Sequence, residues 1–120
     1  MKRNKVSFDF DGTIEFESVK EYAKYLVEIG IDVHIVTARH HCFYLDVLEV
    51  ADYIKIPHFN VIFTNGREKS DYFKRNKDFI FHLDDDLTTT RLINERTKVK
   101  GVTNWANPMW KEECEELIFK

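Results

Sequence analysis

Residues 5–14 read KVSFDFDGTI, an apolar run that gives way to two aspartates, a glycine and a threonine. The part from Lys5 to Phe10 is rich in Val and Phe and has the length of a buried strand. Asp11-Gly12 is a common turn signal. The segment is therefore predicted to form a strand whose carboxyl end carries acidic side chains.

Four further apolar runs alternate with helical patterns along the rest of the chain. The predicted strands are Asp32 to Val36, Asn60 to Phe63, Asp78 to Leu83 and Lys98 to Thr103. The predicted helices are Ser18 to Ile29, Phe43 to Tyr53, Ser70 to Asn76, Thr88 to Glu95 and Pro108 to Ile118. This alternation favours a parallel sheet that is covered by helices on both faces.

Helix-breaking residues are scarce, with four Gly and two Pro in the chain. Ser18 is predicted to cap the first helix, and Gly30 follows its end. Asn107 is predicted to cap the last helix, with Pro108 in its first turn.

The bulk composition is that of a soluble globular domain. The 120 residues suit one domain over 1–120, with 43% hydrophobic and 32% charged residues. A net charge of -3 gives no support for sequence-independent binding of nucleic acid, although a local basic patch is compatible with it. Cys42 and Cys114 have no ligand-like spacing and are expected to be free thiols in a reducing cytosol. No apolar stretch suited to a signal peptide follows the basic start Met1 to Lys5, and none approaches a membrane span, so a cytoplasmic location is expected.

Acidic and hydroxyl side chains, with one lysine, follow four successive predicted strands. They are Asp9, Asp11 and Thr13 after the first, Thr37 after the second, Lys69 beyond the third, and Asp84, Asp85 and Asp86 after the fourth. Taken singly, each has an ordinary explanation as a turn, a helix cap or a surface residue. Ligands of parallel sheets bind beyond the carboxyl ends of the strands, so the joint placement indicates one site.

These residue types suit phosphoryl transfer. Facing carboxylates repel each other unless a cation lies between them, and carboxylate oxygens are ligands that Mg²⁺ prefers. A carboxylate can attack phosphorus to form an acyl phosphate, and a second acid can protonate the leaving oxygen and later activate water. A hydroxyl and an ammonium group can hold the oxygens of the transferred group.

The sequence resembles the haloacid dehalogenase superfamily of phosphatases over nearly its whole length. Ser7 to Ile14 resembles the first motif of that family, Val36 to Arg39 the second, Lys69 the third and His82 to Asp86 the fourth. The resemblance implies a Mg²⁺-dependent phosphomonoester hydrolase with a Rossmann-like fold. We expect a three-layer α/β/α domain with a five-stranded parallel sheet in the order 3-2-1-4-5, so that strands one and four are neighbours.

The resemblance also implies a role for each motif residue. Asp9 is expected to be the nucleophile and a Mg²⁺ ligand. Asp11 is expected to be the general acid and base and to offer its backbone carbonyl to the metal. The phosphoryl group is expected to be bound by Gly12, Thr37 and Lys69.

By the same resemblance, the acidic triplet of the fourth motif is expected to supply the remaining metal ligand. Asp85 is the first choice for this ligand. Asp84 is the alternative, or it binds Lys69 or a metal-bound water instead. Asp86 is expected to cap the following helix.

The chain leaves no room for a lid at either usual place. Only Ile14 to Glu17 separate Thr13 from the first helix, and Ala51 to Phe59 is too short for a lid domain. This implies a capless (C0-type) member with an open site. Its substrate is expected to be a phosphorylated macromolecular end or a small molecule, or its pocket to be covered by a partner subunit of a homo-oligomer. The expected rim of the site consists of Arg39, His40, His41 and Arg67.

Two other functions and two substrate classes compare with this interpretation as follows. A receiver-like phospho-acceptor domain is disfavoured, because its acceptor aspartate follows the third strand, where this chain has Thr64-Asn65. A binding or regulatory domain could keep the metal site without significant turnover. Among substrates, nucleotides or nucleic-acid ends are preferred, with phosphosugars or phosphoproteins as the alternative.

Overall fold

The computed structural model describes residues 4–120. The prediction that the basic start is not a signal peptide falls in part on Met1 to Arg3, which lie outside this range. The five strands are β1 (Lys5–Phe8), β2 (Asp32–Thr37), β3 (Val61–Phe63), β4 (Phe79–Asp84) and β5 (Lys100–Thr103). They form one parallel sheet in the order β3-β2-β1-β4-β5, which confirms the predicted topology. Because all strands run the same way, their carboxyl ends meet at one edge.

Helices cover both faces of this sheet. They are α1 (Glu17–Glu28), α2 (Leu45–Ile54), α3 (Lys69–Arg75), α4 (Leu87–Arg96) and α5 (Trp110–Phe119). The helices α1, α2 and α5 pack with Phe8 and Phe81 in the larger core, and α3 and α4 pack with Phe73 and Phe79 in a smaller one. No helix within residues 4–120 is long and apolar enough to cross a membrane.

The strand β1 ends two residues earlier than predicted, because the chain turns sharply after Asp9. A wide turn over Phe10–Ile14 is closed by the Ile14 N–H, which donates to the Asp9 carbonyl at 3.0 Å. Gly12 has a φ of 76° in this turn, a left-handed conformation that glycine adopts without a steric penalty. Asp9 therefore lies between the last residue of the strand and this turn.

Helix ends follow the sequence signals only in part. Gly30, with a φ of 95°, follows α1 as predicted. Ser18 does not cap α1, which begins at Glu17 after Phe16 and has no side-chain cap. Asn107 and Pro108 both precede α5, which begins at Trp110, so Pro108 is not in its first turn. Asn107 accepts from the Met109 N–H at 3.2 Å and does not cap the helix directly.

Candidate functional site

A lysine lies between two buried aspartates at the carboxyl ends of β1 and β4. The N–H of Asp9 donates to the Leu83 carbonyl of β4 at 2.8 Å, which fixes the two strand ends side by side. Lys69 Nζ lies 2.6 Å from Asp9 Oδ1 and 2.6 Å from Asp84 Oδ2. The side chains of Lys69, Asp9 and Asp84 are 5%, 8% and 2% exposed, so water screens their charges only weakly. The fold thus brings together residues that follow three different strands.

Burial and mutual attraction set the charges of this cluster. Burial raises the pKa of Asp9 to about 7, although the Lys69 ammonium acts to lower it. Burial also acts to raise the pKa of Asp84, but the hydrogen bond from His82 and the attraction of Lys69 hold it well below its usual range. Burial acts to lower the pKa of Lys69, and the two carboxylates outweigh it. Lys69 is therefore a cation and Asp84 an anion, while Asp9 loses its proton less readily than an ordinary aspartate.

Asp85 completes a group of three acidic side chains. Asp9, Asp84 and Asp85 each offer one carboxylate oxygen, and these oxygens lie within 4.8 Å of one another. A Cβ on Gly12 would collide with the Asp85 carboxylate, so the glycine leaves the room that Asp85 occupies. Burial and the charge of Asp84 raise the pKa of Asp85. Three oxygen donors that repel one another fit a hard divalent cation such as Mg²⁺.

Protein donors hold both oxygens of Asp84. Its Oδ2 accepts from Lys69 and lies 2.8 Å from His82 Nε2, and its Oδ1 accepts from the Asp86 N–H at 3.0 Å. Burial lowers the pKa of the fully buried His82 to about 4, so this ring is neutral. Its Nδ1 lies 2.7 Å from Ser7 Oγ. Asp86 also accepts from the Thr88 N–H at 2.9 Å and so caps α4, as the sequence predicts.

Asp11 has an exposed side chain, which pairs with Arg39. Arg39 donates from Nε to Asp11 Oδ2 at 3.0 Å and from a terminal nitrogen to Asp11 Oδ1 at 2.8 Å. Its other terminal nitrogen donates to Asp46 Oδ1 at 2.6 Å, and the guanidinium lies 4.7 Å from the centre of the Phe10 ring. The Arg39 N–H donates to the hydroxyl oxygen of the fully buried Thr37 at 3.2 Å. Arg39 is therefore part of the framework around Asp11.

An asparagine after β5 holds the turn of the first motif in place. The Asn104 amide donates to the Gly12 carbonyl at 3.0 Å, and its Oδ1 accepts from Thr13 Oγ1 at 3.2 Å. The Gly12 N–H donates to a carboxylate oxygen of Glu15. Both backbone polar groups of Gly12 thus have protein partners in this structure.

An open cleft of about 630 Å³ leads from the carboxylate cluster to the surface. Of the four residues predicted for the rim, Arg67 lines this cleft. His40 and His41 lie on the exposed loop after β2 with their rings 4.3 Å apart, and the His41 N–H donates to Asn65 Oδ1 at 2.9 Å. Other cleft residues are Asp9, Asp11, Lys69, Asp85, Thr88 and Leu92.

Three polar residues at the site were not identified from sequence. Ser7 and His82 are paired across β1 and β4, and each lies two residues before an aspartate of the cluster. Because strand side chains alternate between faces, this spacing places them on the same face as Asp9 and Asp84. A polar residue at such a position in an otherwise apolar strand is the signal that could have found them. Asn104 has no comparable signal, because its partners are distant in sequence.

Comparison with known proteins finds a likeness among solved structures. No protein-family model matches the sequence, and no curated protein matches it. Among solved structures, the chain is similar to the NMR structure of the core domain of a putative phosphoglycolate phosphatase from Streptococcus pneumoniae TIGR4. The TM-score is 0.57 at 15% identity, and the match covers 86% of this chain and 80% of that one. At this identity the likeness supports the three-layer α/β fold.

Proposed function

We propose that this chain is a Mg²⁺-dependent phosphomonoester hydrolase of the haloacid dehalogenase superfamily, with a single capless domain. The observation that carries the proposal is the buried Asp9–Lys69–Asp84 cluster beside Asp85 at the carboxyl edge of the sheet. The motif resemblance and the phosphatase name of the structural neighbour support the same conclusion.

Asp9 is the proposed nucleophile. One of its carboxylate oxygens forms a bond to the substrate phosphorus while the bond from phosphorus to the leaving oxygen breaks, which gives an aspartyl phosphate. Lys69 uses two of its three N–H groups on Asp9 and Asp84. The third is available to an oxygen of the transferred group, where its charge stabilises the transition state. Thr37 and Gly12 remain the predicted further phosphate contacts.

Asp11 is the proposed general acid and base. In its acid form it gives a proton to the leaving oxygen, and as a carboxylate it then takes a proton from the water that attacks the acyl phosphate. This hydrolysis releases inorganic phosphate and restores Asp9. The two hydrogen bonds from Arg39 match the carboxylate form, so Arg39 orients Asp11 for the step that activates water.

Asp9, Asp85 and the Asp11 carbonyl are the proposed metal ligands. Both oxygens of Asp84 are already held by protein donors, which favours Asp85 as the direct ligand. When bound, Mg²⁺ would supply positive charge that offsets the repulsion among the carboxylates and the phosphate.

Turnover of an aryl phosphate, with Mg²⁺ or with EDTA, tests the proposal. We expect turnover that requires Mg²⁺ and is lost in Asp9→Asn, because the amide is a poor nucleophile of nearly the same shape. Asp11→Asn should slow turnover by about 10²–10⁴-fold, most for poor leaving groups. Asp52→Asn is a matched control, since Asp52 is an exposed residue of α2 paired with His58. A wild-type chain that binds Mg²⁺ but shows no turnover would instead favour a binding or regulatory domain.

A further inference from the structure

Behind the carboxylate cluster lies a continuous chain of buried polar groups. It runs from Ser7 Oγ to His82 Nδ1 at 2.7 Å, from His82 Nε2 to Asp84 Oδ2 at 2.8 Å, and from Asp84 Oδ2 to Lys69 Nζ at 2.6 Å. Ser7 and His82 are both 0% exposed. This series of hydrogen-bonded groups therefore ends at Asp84 and Lys69, whose charges act on Asp9.

With an ionised Asp84 and a neutral His82 ring, the donor and acceptor capacities of these hydrogen-bonded groups allow one arrangement of protons. An ionised carboxylate only accepts, so His82 Nε2 must carry the hydrogen that Asp84 receives. In a neutral imidazole the other nitrogen is then an acceptor, so Ser7 must donate its hydroxyl hydrogen to Nδ1. Ser7 thus fixes the tautomer and ring orientation of His82. His82 in turn holds the Asp84 oxygen that accepts a hydrogen bond from Lys69.

We propose that His82 is a positioning residue, held by Ser7, that orients Asp84 and through it the Lys69 ammonium. The proposal rests on the proposed phosphatase function, because it assigns Lys69 to the transferred phosphoryl group. The Asp86 N–H holds the other oxygen of Asp84, so loss of the His82 donor would free one end of the carboxylate and let the ammonium shift. A shift of the ammonium acts on the transition state more than on substrate binding.

The tautomer can be measured without any activity assay. In a long-range ¹H–¹⁵N correlation spectrum of the ¹⁵N-labelled wild-type chain, we expect His82 to show a protonated Nε2 and an unprotonated Nδ1. The His82→Gln spectrum identifies this ring among the five histidines. Ser7→Ala should shift the Nδ1 resonance. A ring that carries its hydrogen on Nδ1, or that is unaffected by Ser7→Ala, would overturn the proposal.

Two substitutions separate positioning from packing. His82→Gln can place an amide N–H near the former Nε2 and keep a donor to Asp84. His82→Asn is too short for this and can only reach the Ser7 side. For aryl phosphate turnover per folded molecule, we expect kcat to fall roughly tenfold to hundredfold in the Asn variant, with a smaller change in KM. The Gln variant should retain most of the wild-type kcat.

The outcomes are distinguishable from failure of the proposed function. If the two variants lose stability to urea but keep equal kcat per folded molecule, His82 is only a packing residue and the proposal is wrong. Equal loss of kcat in both variants would also overturn it. If the wild-type chain shows no turnover, the proposed function fails, and the proton arrangement is still decided by the spectrum.

Discussion

Asp9, Lys69 and Asp84 lie where water hardly enters, and the balance of their charges sets how the site titrates. Lys69 is shared between two carboxylates at 2.6 Å, while Asp85 adds a third negative group nearby. Burial, together with the negative charges of Asp84 and Asp85, outweighs the attraction of Lys69 and raises the pKa of Asp9 to about 7. At the residue scale, the site therefore holds an excess of negative charge, which a bound cation would offset.

Replacement of Asp9 by Asn should therefore stabilise the metal-free chain at high pH. A carboxyl whose pKa is higher in the folded chain stabilises the fold at low pH, and this contribution is lost as the pH rises from about 4 to about 7. The free energy of unfolding in urea, measured with EDTA, should be higher in Asp9→Asn than in wild type at pH 8. The difference should shrink at pH 5.

His82 and Asp84 titrate in both the wild type and Asp9→Asn. Their contributions to the pH dependence of unfolding therefore largely cancel in the difference between the two proteins. Asp52→Asn, at an exposed position, should follow the wild type at both pH values. Added Mg²⁺ should stabilise the wild type more at pH 8 than at pH 5, because its site prefers ionised Asp9. A wild-type-to-Asn difference that does not change with pH would contradict the charge balance described above.

At the scale of elements, local patterns predicted the strands and helices, whereas contacts between distant segments decided where several of them end. The apolar runs located the strands, Gly30 the end of α1, and the family resemblance led to the expected strand order. The predicted helix from Phe43 starts at Leu45 instead. Arg39 binds the nearby Phe43 carbonyl at 3.2 Å and is itself held by Asp11, which is distant in sequence. A contact of this kind leaves no mark in local sequence.

The site shows the same division between local and distant information. Motif resemblance located Asp9, Lys69 and Asp84, and the structure places them together. Arg39 was expected on the substrate rim, and in the structure its guanidinium binds both Asp46 of α2 and Asp11. Tertiary contacts of this kind require the fold, which is why the sequence alone did not identify them.

The strand β5 and the helix α4 approach each other so closely at Gly101 that a side chain would not fit. A Cβ there would lie 2.7 Å from the Thr90 carbonyl oxygen. Asn94 holds the two elements together through hydrogen bonds to the Gly101 N–H and carbonyl at 2.9 and 3.0 Å. Gly101→Ala should thus lower the free energy of unfolding in urea by about 1–3 kcal/mol.

Gly30→Ala is the matched control for this prediction. A Cβ on Gly30 meets nothing within 4 Å, so its cost comes only from the φ of 95°. If Gly101→Ala were as stable as the wild type, β5 and α4 could not pack as closely as described.

At the scale of the whole molecule, the site lies open at one edge of the sheet. The segment from Asp9 to α1 is a short turn, and α2 is joined to β3 by a short connection with one turn at His58–Asn60. Two exposed aromatic side chains lie next to residues described above: Phe43, whose carbonyl Arg39 binds, and Trp105, directly after Asn104. A small phosphoester would touch little beyond the phosphoryl pocket, so affinity for a natural substrate has to come from the rim.

The two arginines near the mouth should separate contacts to a large substrate from catalysis itself. Arg67 lines the cleft, and no ion pair of its side chain occurs within residues 4–120, so it is available to an anionic substrate. Arg39 is already bound to Asp11 and Asp46. Arg67→Ala should weaken use of a 3′-phosphorylated oligonucleotide, most at low salt, and leave aryl phosphate turnover nearly unchanged.

Arg39→Ala should slow turnover of both substrates, because Asp11 loses the group that orients it. Arg91→Ala, at an exposed position of α4, is the control and should affect neither. Each assay is run at two salt concentrations and over a range of protein concentrations. If activity on the aryl phosphate fell on dilution, and the oligonucleotide had no advantage, a second subunit rather than a large substrate would complete the site. Equal effects of the two substitutions on both substrates would show that Arg67, like Arg39, belongs to the catalytic framework.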